Sequence, residues 1–320
     1  MTDFIAPTPA DIRAAAARIA AHARVTPVLR EDALDAIAGA TLFCKCEHLQ
    51  RGGAFKFRGA CNAVWSLPDA EARRGVVTHS SGNHGAALAL AAATRGIPAH
   101  IVVPEGAVAA KLANIERAGG IVHRCAPTQA AREETCASVQ RETGATLVHP
   151  YADARVVAGQ GTVVLELLQQ VPRLDAVVAP VGGGGLVSGC AIVLRALLPS
   201  CEVVGAEPAG ADDAFQSLRR GERVADIVPE TICDGLRATV GAPNLAMLQQ
   251  HRVDVITIED DATLAAMRLL WKELKQTVEP SSATVLAAVL AQRERFAGKR
   301  VGLVLTGGNV DLDRLPFGSG

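Results

Sequence analysis

"DAVVAPVGGGGLVSGCAIVLRAL", residues 175–197, runs from an apolar, β-rich stretch through Gly182, Gly183, Gly184 and Gly185 into a helix-forming stretch. A strand apolar along its whole length is buried on both faces, which is the situation of strands in a parallel sheet. The same order recurs along the chain. "TLFCKCE", "GVVTHS", "AHIVVP", "GIVHRC", "TLVHP", "CEVVGAEP", "VDVITI" and "RVGLVLT" read as further strands. Helical spacing covers 83–95, 107–118, 128–143, 153–170, 186–198, 260–276 and 282–294. This alternation predicts an α/β fold with mostly parallel sheet. Four of the strands crowd between Gly75 and His149. They predict a small α/β domain, residues 75–152, inserted into a larger twisted-sheet domain of residues 1–74 and 153–320. Ligands of such folds sit at the carboxyl ends of strands.

Composition narrows the function. The 320 residues are 49% hydrophobic and 20% charged, with 32 Lys and Arg against 33 Asp and Glu, a net charge of −1. No basic run interleaved with aromatics is present, so nothing points to a nucleic-acid partner or a membrane surface. A small-molecule ligand is the expectation. No apolar run reaches the roughly 18 residues of a membrane span, and the N-terminal stretch lacks a basic start followed by an apolar core. A cytoplasmic location is expected. The eight cysteines, at 44, 46, 61, 125, 136, 190, 201 and 233, form no CxxC pair and read as reduced core thiols. The histidines are equally scattered, against a structural zinc site.

The loops after the strands carry the chemistry. In "VVTHSSGNHGAALALAAATRG" a strand passes into a helix through Ser80, Ser81, Gly82, Asn83, His84 and Gly85. Free N–H groups and hydroxyls at a helix start suit a carboxylate or phosphate; a well-capped helix is the simpler reading. Gly182 to Gly185 expose N–H groups with no side chains in the way, as a phosphate cradle does, or form a flexible turn. The loop is neither a GxGxxG turn nor a GxxxxGK[ST] loop, so nicotinamide cofactors and ATP hydrolysis lack specific support. Thr306 in "VGLVLTGGNVDL" ends the last strand before two glycines, as a strand residue or a hydrogen-bonding contact. In "GGAFKFRGA", residues 52–60, Lys56 stands between Phe55 and Phe57. It is either a solvated charge at a helix start or a desolvated amine with nucleophilic character. Glu207, Asp212 and Asp213 in "GAEPAGADDAFQSL" complement a helix dipole or, with a backbone carbonyl, hold a hard cation.

Taken together these stretches resemble a fold type II pyridoxal-phosphate enzyme. More narrowly the chain is similar to serine racemases and the short biodegradative threonine/serine dehydratases. The likeness covers nearly the whole chain, including "KCEHLQRGGAFKFRGACNAV", "VVTHSSGNHGAAL", "GIPAHIVVPE", "VAGQGTVVLEL", "VPRLDAVVAPVGGGGLVSG", "AEPAGADDAFQSL" and "LTGGNVDL". The resemblance implies pyridoxal 5'-phosphate as cofactor, its aldehyde on Lys56, which also removes the substrate Cα proton. It implies that Phe55 lines the ring, Asn83 meets the 3'-oxygen, Gly182 to Gly185 take the phosphate and Thr306 faces the pyridine nitrogen. Ser80, Ser81, Gly82, Asn83 and His84 would hold the substrate carboxylate. Ser81 would act as acid/base on the face opposite Lys56. Glu207, the Ala211 carbonyl and Asp213 would hold Mg²⁺ or Ca²⁺. The implied reaction turns a 3-hydroxy amino acid such as L-threonine or L-serine into a 2-oxo acid and ammonia, with possible racemisation of serine, in a homodimer. A hydroxyl at Thr306 cannot give the ring nitrogen a full proton, which makes the ring a moderate electron sink.

The chain departs from that pattern where serine racemases commonly read Thr-Gly-Ser before the phenylalanine and this chain has Gly52, Gly53 and Ala54. "VEPSSATVL" replaces a version richer in glycine. Nucleotide activation is therefore not carried over. Arg132 in "TQAAREE" is either a helix-surface charge or the partner of a second substrate carboxylate, which would suit 3-hydroxyaspartate. Phenylserine is a further alternative. The competing readings are a β-replacement synthase of the same fold and a non-catalytic amino-acid-binding protein. The chain ends soon after "LTGGNVD", from which no allosteric isoleucine site is expected.

Overall fold

Ten strands and a set of longer helices carry the architecture of the computed structural model, which describes residues 4–107, 109–311, 315 and 317. The strands are β1 (Val28–Leu29), β2 (Thr41–Cys46), β3 (Val76–Thr78), β4 (Ala99–Pro104), β5 (Ile121–Cys125), β6 (Thr146–Leu147), β7 (Ala176–Pro180), β8 (Glu202–Pro208), β9 (Asp254–Ile258) and β10 (Arg300–Leu305). The longer helices are α1 (Pro9–Ile19), α2 (Lys56–Trp65), α3 (Asn83–Arg95), α4 (Ala109–Arg117), α5 (Gln129–Thr143), α6 (Ala154–Gln170), α7 (Gly185–Leu197), α8 (Asp213–Arg220), α9 (Ala242–Gln250), α10 (Asp260–Lys272) and α11 (Pro280–Ala291).

The strands form two sheets, β1-β2-β10-β7-β8-β9 and β5-β4-β3-β6. Every pairing is parallel except β1 with β2. Each apolar run read as a strand is one. β7 shows why: all five of its residues are buried, as a strand covered on both faces must be. The two-residue β1 and the helices α1, α8 and α9 are additions that the apolar pattern did not announce.

Packing divides the chain into residues 1–24 with 50–160 and residues 25–49 with 161–320. The four-stranded sheet does lie within 75–152, but its unit is larger than that expected span. The reason is the core. Phe57, Ala60, Cys61 and Val64 of α2 share one buried cluster with Leu88 and Ala91 of α3 and with Val76 and Ile101 of the small sheet. Lys56 therefore belongs to the small-sheet unit, whereas residues 1–74 were expected in the other. All eight cysteines are free and buried. Burial pushes the Cys61 and Cys233 thiols up to about 12, so these are inert core side chains.

Candidate active site

In the small-sheet unit the strands β3, β4, β5 and β6 run parallel, so their carboxyl ends open along one edge. Lys56 comes to the end of β6. Gly52 and Gly53 both take left-handed conformations, φ 72° and 73°, which reverses the chain just before α2 begins. Such angles suit glycine and disfavour side chains. Lys56 Nζ donates to the Pro150 carbonyl at 3.0 Å and lies 5.1 Å from the centre of the Phe55 ring. The side chain is half-buried, yet the dense protein around it desolvates the ammonium and pulls it down to about 8. Neutral amine is then available near physiological pH.

The loop after β3 supplies Ser80, Ser81 and Gly82, all half-buried, and Gly82 is the cap of α3. No side chain caps that helix. The first turn of α3 is thus an N–H-rich end without a serine or asparagine cap, which favours the anion-site reading over the capped-helix reading. His84, in the same turn, is buried; its Nε2 donates to the Val148 carbonyl at 3.2 Å and its Nδ1 has no partner. Burial, then the neighbouring Lys56 charge, holds His84 neutral, well below the usual histidine range.

Three residues at this edge escaped the sequence reading. His79 stands edge-on to His149, ring centres 5.4 Å apart, and His149 edge-on to Tyr151 at 4.6 Å. Burial, then His79, pushes His149 down to about 4. Their signal was present: His79 and His149 each follow the last residues of strands that prove to be neighbours, β3 and β6. Arg132 reaches the same edge from the first turn of α5. Its Nε is buried without a hydrogen-bond partner, and its charge acts on His79 and on Cys125 at the end of β5.

The other unit has its own edge. β10 and β8 flank β7 in parallel, so the loop after β7, Thr306 after β10 and Glu207 near the end of β8 come out on the same side. Gly184 caps α7 with φ 87°, and no side chain caps the helix. A Cβ added at Gly184 would stand 2.9 Å from the Asn244 Cβ, so this loop tolerates no side chain there. Asn244 Nδ2 donates to the Gly183 carbonyl and fixes the loop, which is therefore more than a flexible turn. Thr306 is buried, with its hydroxyl 3.1 Å from Ser282 Oγ. Ser282 lies in the "VEPSSATVL" segment.

Glu207 is fully buried and accepts the Ala214 and Phe215 N–H groups at 3.0 and 2.8 Å, capping α8. Asp213 accepts the Val240 N–H at 2.6 Å. Burial pushes Glu207 up to about 9 and Asp213 up to about 6, and Asp213 raises Glu207 further. Among the described residues no three His, Cys, Asp or Glu side chains gather as a metal set. A cation here would need backbone oxygen beside the two carboxylates, for which Ala211, buried in the turn before α8, is available.

These residues fit pyridoxal phosphate: a depressed lysine, an uncapped helix start on the same unit, a glycine loop with no room for a Cβ at a second helix start, and a buried hydroxyl. Comparison with known proteins points the same way. Residues 19–307 match the family model described as pyridoxal-phosphate dependent enzyme. The chain is 50% identical to the beta-hydroxyaspartate dehydratase of Paracoccus denitrificans (strain Pd 1222), over 97% of this chain and 99% of that protein. Maize serine racemase superposes with a TM-score of 0.94 at 44% identity, over 97% of this chain and 95% of the other. The T.th. threonine deaminase does so with a TM-score of 0.91 at 41% identity, over 96% and 99%.

Proposed function

The chain belongs to the pyridoxal-phosphate-dependent enzymes, in the group of serine racemases and threonine dehydratases with the fold type II architecture, and from that premise we propose that it is a dehydratase of 3-hydroxy amino acids acting on 3-hydroxyaspartate. The cofactor, when bound, draws electrons from the substrate Cα. Lys56 would hold the cofactor aldehyde and, once the substrate amine has displaced it there, its freed neutral amine would take the Cα proton. Ser80 to His84, at the uncapped start of α3, hold the substrate carboxylate, with Asn83 also toward the cofactor 3'-oxygen. Gly182 to Gly185 take the phosphate and Thr306 the ring nitrogen. The β-hydroxyl departs as water; the enamine left behind takes up water and yields a 2-oxo acid and ammonia.

One observation favours 3-hydroxyaspartate over serine and threonine: the buried, unpartnered Nε of Arg132, on the unit that carries Lys56. A buried guanidinium donor left unpaired is costly, and a second substrate carboxylate would satisfy it. The relative that shares half of this sequence is named for that substrate. The test is 2-oxo acid release from threo- and erythro-3-hydroxyaspartate, L- and D-serine, L-threonine and phenylserine. We expect the highest kcat/KM with a 3-hydroxyaspartate isomer. Arg132→Ala should lower that value by about 100-fold and the L-serine value by less than about five-fold, as losing one charged contact implies. Better turnover of L-threonine, indifferent to Arg132→Ala, would overturn the substrate assignment.

Ser81, in the same loop, supports serine racemisation as a second activity. Ser81→Ala should then suppress L-to-D conversion and D-serine elimination far more than L-serine dehydration, read by chiral chromatography in the same assay. Equal loss of all three would leave Ser81 as a carboxylate contact only.

A further inference from the structure

Asn244, in the first turn of α9, is fully buried, and its Nδ2 donates to the Gly183 carbonyl. The Gly241 N–H donates to the same carbonyl at 3.2 Å. Two donors therefore hold one oxygen. The segment that supplies them is itself fixed, since Val240 gives its N–H to Asp213 at 2.6 Å and takes the Arg223 Nε hydrogen on its carbonyl at 2.6 Å. Side chains of that segment also lie against the loop: a Cβ added at Gly184 would stand 2.9 Å from the Asn244 Cβ and 3.2 Å from Val240 Cγ2. This face of the loop is closed to a ligand.

A planar trans peptide carries its carbonyl and the following N–H in opposite directions. Holding the Gly183 oxygen toward Asn244 thus aims the Gly184 N–H away from it, on the side that α9 leaves open. Gly184 is left-handed, φ 87°, and Gly185 begins α7, where the Gly184 carbonyl accepts the Ser188 N–H at 3.0 Å. A left-handed residue followed by a right-handed one turns successive N–H groups into a concave anion site. Between two glycines, however, a peptide can rotate with little steric opposition, and a rotated Gly183 peptide would turn the Gly184 N–H out of that concavity. Something has to hold it. We propose that Asn244 is a positioning residue for the phosphate loop: by holding the Gly183 carbonyl it aims the Gly184 N–H at the phosphate of pyridoxal phosphate. The inference rests on the assignment of Gly182 to Gly185 to that phosphate.

Asn244→Leu keeps the shape of the side chain and removes its donor, and Asn244→Ala is a smaller second variant. Each stripped enzyme is titrated with pyridoxal phosphate and with pyridoxal, which has the same aldehyde and no phosphate, and the absorbance of the lysine-bound form gives the two Kd values. In both variants the Kd for pyridoxal phosphate should rise by about ten-fold, the effect of mis-aiming one hydrogen bond to a charged group, while the Kd for pyridoxal changes by less than about two-fold. The ³¹P resonance of the bound cofactor should move as well. Equal weakening of both compounds would mean that Asn244 only supports the fold, and would overturn the proposal. Gly184→Ala separates the inference from the assignment beneath it. A selective loss of pyridoxal phosphate in Gly184→Ala, with none in the Asn244 variants, would keep the phosphate in this loop and overturn the role of Asn244. No selective loss in any of the three would remove the phosphate from the loop, and the proposal with it.

Discussion

Lys56 owes its chemistry to its place in the chain. Two left-handed glycines turn the backbone, α2 starts at Lys56, and the Pro150 carbonyl takes one of its hydrogens. Desolvation pulls its ammonium from the usual 10.5 to about 8. The neutral amine is the attacking form and exists above the pKa, so capture of pyridoxal phosphate by the stripped enzyme should speed up with rising pH and level off above about 8. An ordinary lysine would keep gaining until about 10.5. Stopped-flow absorbance across pH 6 to 10 measures this, and a midpoint near 10 would contradict the desolvated lysine. Lys56→Ala should lose both the visible absorbance of the lysine-bound cofactor and turnover. The bland reading of Lys56, a solvated surface charge, does not survive the half-buried position.

At the level of elements, chemistry sits where parallel strands end and helices begin. α3 and α7 start on glycine caps without a side-chain cap, the kind of helix start that suits an anion. α8 is different: its start is held by the Glu207 carboxylate, itself buried beside Asp213. Two buried carboxylates repel when both are ionised, and a divalent cation between them would offset that cost. The metal proposal makes α8 the element that responds. Adding Mg²⁺ or Ca²⁺ to chelator-treated protein should raise Tm by several degrees, since an ion that binds only the folded state stabilises it by mass action. The gain should vanish in Glu207→Gln. An unchanged Tm with both ions would leave Glu207 as a helix cap alone.

For the whole molecule, we propose the homodimer that the family resemblance implies. Light scattering on the eluting holoenzyme should give about 66 kDa, twice the 33.2 kDa chain, and a mass near that of one chain would refute it. No helix of the described residues is long and apolar enough to cross a membrane. Much was already written in the sequence. The strands were legible because parallel strands buried on both faces are mostly apolar, as β7 is at every position. The glycine loop and Lys56 were legible because local composition alone marks them. By contrast, β1 is two residues long and has no period to read. The domain boundary moved because α2 buries its apolar side on α3, a contact no local pattern encodes. His79 and His149 lie 70 residues apart and meet only because β3 pairs with β6; Ser282 and Thr306 meet only where α11 packs beside the end of β10. The sequence by itself determined the long elements and marked the glycine loop and Lys56, since backbone preference and burial are local. The tertiary structure alone decided which side chains share a proton or a charge, since that depends on strand order.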